Sequence, residues 1–312
     1  MNPAERAWPG PIVVGVEHNE RSRDALALAA KLARAAGTRL ILVAAYPRDA
    51  RSATVHRRAY AKALVEEAQS TLEWVSRPLA GVRAELRAVP CTSTSRGLQQ
   101  VATEESALAI VVGPSHRGAV GRVVPGSVGA RLLHGAPCPV AVAPMGYWGQ
   151  AHTPIRRIGV GYVGSPEAGE ALDAAIGLAA CTGAVVRALS VIEPAAMTAA
   201  VLMGLGSKER EECERADLTQ SLHHAIDHAP TGVDVSGDVV DGYADDELAQ
   251  LSETADLVVC GSRGHGPLGS VMLGSVSAGV LRKARSPVLV MPRGAHDGFA
   301  ALQAPVPVPA AA

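Results

Sequence analysis

Short apolar runs alternate with longer amphipathic stretches along this chain, and the whole series occurs twice. Ile12-Val13-Val14-Gly15-Val16 leads into an Ala/Leu-rich helical period near 22–36, and Ile158-Gly159-Val160-Gly161 leads into another near 166–182. A second apolar run follows in each case, Leu40–Ala45 and Val185–Val191. A longer helical stretch comes next, about 55–77 and 207–228, and then a third strand, 82–89 and 233–240. Each series continues through a short helix, a buried strand, a glycine-rich loop and a last helix. The two close on matching strands, Cys138-Pro139-Val140-Ala141-Val142-Ala143 and Ser286-Pro287-Val288-Leu289-Val290-Met291. Strands and helices in this order predict an α/β fold with helices on both sheet faces and right-handed crossovers. The expectation is two tandem Rossmann-like units, each a doubly wound, parallel, five-stranded sheet.

The repeat divides the chain into a first domain over 9–146, a second over 153–294 and a tail over 295–312. Residues 144–156, with Pro144, Gly146, Gly149 and Pro154, read as the linker. The tail ends Pro-Val-Pro-Val-Pro-Ala-Ala-Ala and reads as disordered. Two similar closing strands with bare apolar edges are expected to cover each other around a pseudo-twofold axis, making an internal pseudo-dimer. A further homodimer is compatible with the same pattern.

Composition narrows the function classes. The 29 Lys+Arg against 30 Asp+Glu give a net charge of −1, without the clustered basic excess of a nucleic-acid or membrane surface. No apolar run approaches the roughly 18 residues of a membrane helix, and the first residues lack the apolar core of a signal peptide. Five widely spaced cysteines, Cys91, Cys138, Cys181, Cys213 and Cys260, contain no C-x-x-C and read as small buried hydrophobes in a reducing compartment. A cytoplasmic protein is expected.

The chemistry sits in the loops after each fourth strand. Leu257-Val258-Val259-Cys260 runs into Gly261-Ser262-Arg263-Gly264-His265-Gly266 and on to Gly274-Ser275-Val276. Ile110-Val111-Val112 runs into Gly113 and then Gly126-Ser127, with Gly113 and Gly261 lying 148 residues apart. Glycine lets backbone N–H groups approach a bound group, and a helix N-terminus adds unpaired donors and partial positive charge, so the natural guest is an anion. The first strands carry no G-x-G-x-x-G, and no G-x-x-x-x-G-K-[ST] occurs anywhere.

The pattern resembles the universal stress protein family, whose ATP-binding members carry G-x2-G-x9-G-[ST]. Gly261, Gly264, Gly274 and Ser275 match it in full, and the repeat extends the likeness over about 12–143 and 158–291. The resemblance implies an adenine nucleotide alpha hydrolase-like fold, with ATP as a bound ligand across the strand ends. Gly15 and Gly161 would leave room for adenosine beside the first strands. Gly261–Gly266 and Gly274-Ser275-Val276 would wrap the ribose and phosphates, Ser275 would cap its helix, and Arg263 and His265 would lean over the phosphates.

Both halves depart from that pattern. The first has Glu17 where the family commonly has Asp, and His116, followed by Arg117, where the second loop glycine belongs. The second keeps its glycines but has Val163 in place of the acid, so Mg2+ is expected to matter little there. Intact loop geometry favours the second half as the tighter site. No catalytic residue is assigned, since Ser275 lacks the G-x-S-x-G elbow and an identifiable base. The expected function is adenine-nucleotide binding in a stress response. Slow ATP hydrolysis or phosphotransfer, and a nucleotide-free dimeric adaptor, remain open on the residues alone.

Overall fold

A computed structural model of the chain describes residues 10–48, 55–77, 79, 81–116, 119–194, 207–262, 273–292 and 298–303. The first half contributes strands β1 (Ile12–Gly15), β2 (Leu40–Pro47), β3 (Ala84–Cys91), β4 (Ala109–Val112) and β5 (Val140–Val142). Its helices are α1 (Glu20–Ala36), α2 (Val55–Ser76), α3 (Thr94–Glu104) and α4 (Ser127–Leu133). The second half repeats the series with β6 (Arg157–Gly161), α5 (Pro166–Thr182), β7 (Val185–Ile192), α6 (Ser207–Asp227) and β8 (Val235–Asp241). It closes with α7 (Ala244–Thr254), β9 (Leu257–Gly261), α8 (Ser275–Lys283) and β10 (Val288–Met291).

The strands of each half pair in parallel, but the expected pair of sheets is one continuous sheet of ten strands, ordered β3-β2-β1-β4-β5-β10-β9-β6-β7-β8. The halves join through antiparallel pairing of β5 with β10, in the register Val140↔Val290, Ala141↔Leu289, Val142↔Val288. Ala141 and Leu289 are counterparts in the repeat, so the pseudo-twofold axis passes through this pair. Two apolar edges that would each invite association are thereby covered internally.

Alternate strand residues feed two cores. Ile12, Val14, Ile158 and Val160 face a layer built with α1, α2, α5 and α6. Val13, Ile110, Val258 and Cys260 face the layer of α3, α4, α7 and α8. Near-continuous Val, Ile and Ala along each strand is what burial on both faces requires.

Two stretches expected to lack structure are folded. Tyr147–Gln150 of the linker forms a 3-10 turn. Tyr147 is buried there, held by α1: Lys31 Nζ donates to Tyr147 Oη (2.9 Å) and to Thr153 Oγ1 (2.8 Å). The Asp24 carboxylate accepts from the N–H groups of Gly146 (3.0 Å) and Trp148 (2.8 Å). In the tail, Ala300–Gln303 forms the equivalent turn on α5, and Phe299 is fully buried. Gly177 makes that seat, because a Cβ there would lie 2.0 Å from the Phe299 carbonyl oxygen. One aromatic residue amid small and polar neighbours carries no periodicity, so no sequence pattern signals this turn. The remainder of the tail lies outside the described residues. Cys91, Cys138 and Cys260 are buried as expected, whereas Cys181 and Cys213 are exposed on helices.

Candidate functional site

The strand ends are set by helix starts and by glycine. Asn19 caps α1, its side chain accepting from Ser22 N–H (3.1 Å), and Ser165 caps α5 through Ala168 N–H (3.2 Å). Gly113 and Gly261 then meet the first turns of these helices. A Cβ on Gly113 would lie 2.4 Å from the Arg21 carbonyl oxygen, and one on Gly261 would lie 2.7 Å from that of Glu167. Both glycines are thus required by the fold itself. Gly15 and Gly161 have a similar reason, since a Cβ would press on Leu98 (2.8 Å) or Leu248 (2.9 Å). Their small size seats a leucine, which accounts for them without adenosine.

A cavity of about 670 Å³ opens over the ends of β6, β7 and β9. Leu189, Val191, Leu218, Ala244 and Leu248 line it, together with Gly161, Gly261, Ser262 and Gly274 and with Val276 and Ser277 of α8. Gly274, not Ser275, is the N-cap of α8, and as a glycine it supplies no side-chain cap of its own. Ser275 occupies the first helical position and is exposed, one residue too far along to cap. Ser277 is a contributor the sequence did not signal: its buried hydroxyl donates to the Gly261 carbonyl (2.9 Å) and ties α8 to the end of β9. The Ser262 N–H is already spent on the Met291 carbonyl (2.8 Å).

The charged side chains among the described lining residues are all acidic: Glu167, Glu193 and Glu214. Glu193 accepts from the Ala244 N–H (3.1 Å) and so caps α7. Val163 lines the cavity and is 41% exposed, leaving no carboxylate at the end of the first strand. Burial pushes the Cys260 thiol up to about 12, which removes it as a nucleophile. Arg263, Gly264, His265 and Gly266 lie outside the described residues.

The matching cavity in the first half is smaller, about 190 Å³, with polar and apolar surface in equal measure. Gly15, Glu17, Asn19, Arg21, Thr94, Gly113, His116, Gly126 and Ser127 line it. Glu17 stands at the strand end as expected, but its carboxylate accepts from Asn19 Nδ2 (2.9 Å). Its loop is pinched at the neck, where Pro114 and Pro125 form a bridge and Ser115 N–H donates to the Val124 carbonyl (2.6 Å).

Beyond the neck the loop is anchored on the other half. Val123, fully buried, donates its N–H to the Ala284 carbonyl (3.3 Å), and the Arg122 guanidinium bonds the Lys283 carbonyl. His116 carries no backbone strain: among the described non-glycine residues, Ser106 alone has positive φ. Gly126 has nothing nearer than Ser115 Cα at 3.8 Å to a Cβ, so packing does not demand it. Arg117 lies outside the described residues.

A tandem, doubly wound α/β protein with a strand-end cavity in each half is the class these observations define. The chain belongs to the universal stress protein family, whose profile matches residues 10–144 and again 154–292. A universal stress protein of Mycobacterium tuberculosis is 35% identical over 184 residues, covering 58% of this chain and 60% of that protein. One from Mycolicibacterium smegmatis is 34% identical over 193 residues, covering 60% and 62%. The matches thus span about three fifths of the curated relatives' own length. A universal stress protein structure from Archaeoglobus fulgidus DSM 4304 superposes with a TM-score of 0.63 at 23% identity, covering 92% of this chain and 99% of that one. Another, from Pseudomonas aeruginosa UCBPP-PA14, gives 0.60 at 16% identity over 96% and 98%. At such identities these two structures speak for the fold. Among the described residues, no helix is long and apolar enough to cross a membrane.

Proposed function

We propose that this universal stress protein binds an adenine nucleotide, ATP in particular, in the cavity of its second half, and that the nucleotide is a ligand rather than a substrate turned over. The observation that carries the reading is the 670 Å³ cavity lined at one end by Gly274, the N-cap of α8, and by Val276 and Ser277 of its first turn. Small-molecule sites occupy about 300–1,000 Å³ and combine apolar walls with a few placed polar groups. Leu189, Val191, Ala244 and Leu248 would hold the base, and Gly274, Val276 and the first N–H groups of α8 would hold phosphate oxygens. The Gly261/Gly264/Gly274/Ser275 spacing supports the same assignment. Arg263 and His265 are proposed to add positive charge, offsetting Glu167, Glu193 and Glu214.

Phosphate charge would be met by backbone donors, so binding should persist without divalent metal. No residue is assigned to turnover, which would need a positioned water, a metal and a cationic clamp. Mass spectrometry of small molecules released on denaturing the purified full chain, after incubation with ATP and desalting, tests the reading. Adenine nucleotide approaching one equivalent per chain is the expected result. Its absence after saturating ATP would overturn it.

A further inference from the structure

We propose a second ligand site, a groove between α1, the end of α2 and the interdomain turn, that takes a small flat anion: an aromatic ring bearing phosphate. Trp74, Trp148, Arg23 and Arg77 line this groove of about 390 Å³. It opens on the α1/α2 side of the sheet, and its lining shares no residue with either strand-end cavity.

Three observations carry the assignment. The chain has only three tryptophans and one phenylalanine and builds its cores from Ala, Val, Leu and Ile, yet two indoles meet in this groove, each half-buried. A packing role alone would be served by the residues used everywhere else. The Trp74 indole is also held in place, and the Trp148 backbone is anchored. Trp74 stacks with His18 (ring centroids 4.5 Å apart, 21° between planes) and carries the Arg23 guanidinium 4.5 Å from its ring centre. The Trp148 backbone is fixed by the buried Asp24 carboxylate. A rigid indole offers stacking area at little conformational cost.

The charge is also one-sided. The charged lining residues are two guanidiniums without a carboxylate. Arg23 shares its charge with Glu20 (3.1 Å) at the exposed rim, while Arg77 makes no ion pair among the described residues. Guanidinium beside indole favours a planar ring for stacking and a phosphate for paired hydrogen bonds.

Phenyl phosphate is the probe, titrated into the full chain and followed by intrinsic fluorescence and by calorimetry. Saturable binding is expected. Arg77→Gln and Trp148→Leu should each weaken it about tenfold or more, as one charge-assisted contact or one stacking surface is lost. Arg77 is exposed, so its variant keeps the fold even if Trp148→Leu perturbs it. Inorganic phosphate and benzyl alcohol should bind at least tenfold more weakly than phenyl phosphate, and Gly274→Val should leave its binding unchanged. Equal binding of inorganic phosphate would reduce the site to a simple anion contact and overturn the proposal. So would competition by ATP with loss in Gly274→Val, which would place the probe in the strand-end cavity, or binding unaltered by Arg77→Gln.

Discussion

The two halves share a fold, a repeat and a loop position, but their strand ends differ more than threefold in room, about 670 Å³ against 190 Å³. In the first half the loop after the fourth strand is stiffened by Pro114 and Pro125 and drawn across the interface by Arg122 and Val123 onto the end of α8. The described end of the second-half loop also reaches across, Leu273 N–H donating to His134 Nδ1 (3.5 Å). The smaller cavity thus lies beside a loop that is itself part of the joint between halves.

The halves also seat their trailing segments by different physics. On α1, Lys31 and Asp24 grip the interdomain turn through polar contacts. On α5 the position equivalent to Lys31 is Gly177, and the fully buried Phe299 fills the space. The largest expected effect lies there: Phe299→Ala should lower stability by about 3–5 kcal/mol, as a buried aromatic truncation does. Urea denaturation checks it, and a loss under about 1 kcal/mol would mean the tail turn adds little.

Lys31 gives the next effect, through pH. Burial lowers its pKa from 10.5 to about 8. Between those values the unfolded chain holds a proton that the folded chain has released. Stability attributable to Lys31 must therefore rise with pH across that window, by roughly 3 kcal/mol in all. Lys31→Met should remove that rise whatever it does to the baseline. Parallel slopes for both proteins from pH 8 to 10.5 would contradict the burial of this charge.

Smaller again, Gly113→Val and Gly261→Val should each cost about 1–3 kcal/mol, because both side chains would collide with a helix backbone. Gly126→Val, with open space around it, should stay within about 0.5 kcal/mol. Similar losses at all three positions would erase the distinction between fold glycines and loop glycines. The smallest effect is on metal dependence. Val163→Asp should make ATP affinity depend on magnesium by about tenfold, by adding a hard oxygen ligand and, without metal, carboxylate–phosphate repulsion. Calorimetry with magnesium and with chelator measures it; an unmodified chain that already loses ATP in chelator would show that another residue holds the ion.

The fold was legible because strand and helix periods alternate twice and end on similar Pro-Val strands. Pairing through those strands was expected; the register centred on Ala141 and Leu289 comes from the structure. The site was legible only as a spacing. Which glycines serve packing depends on carbonyls of Arg21 and Glu167, far away in sequence, that no local pattern points to. The cap at Gly274 was hidden because serine is the stronger capping type, yet the helix begins on it. The joint made by Arg122 and Val123 was invisible because its partners belong to the other half.

Calorimetric titration of ATP into the full chain and into its Gly126→Val and Gly274→Val variants tests the central asymmetry most directly. The expected result is one ATP per chain, unchanged by Gly126→Val and weakened at least tenfold by Gly274→Val, with both variants folded as judged by circular dichroism. Two equivalents per chain, or a greater loss from Gly126→Val than from Gly274→Val, would contradict it.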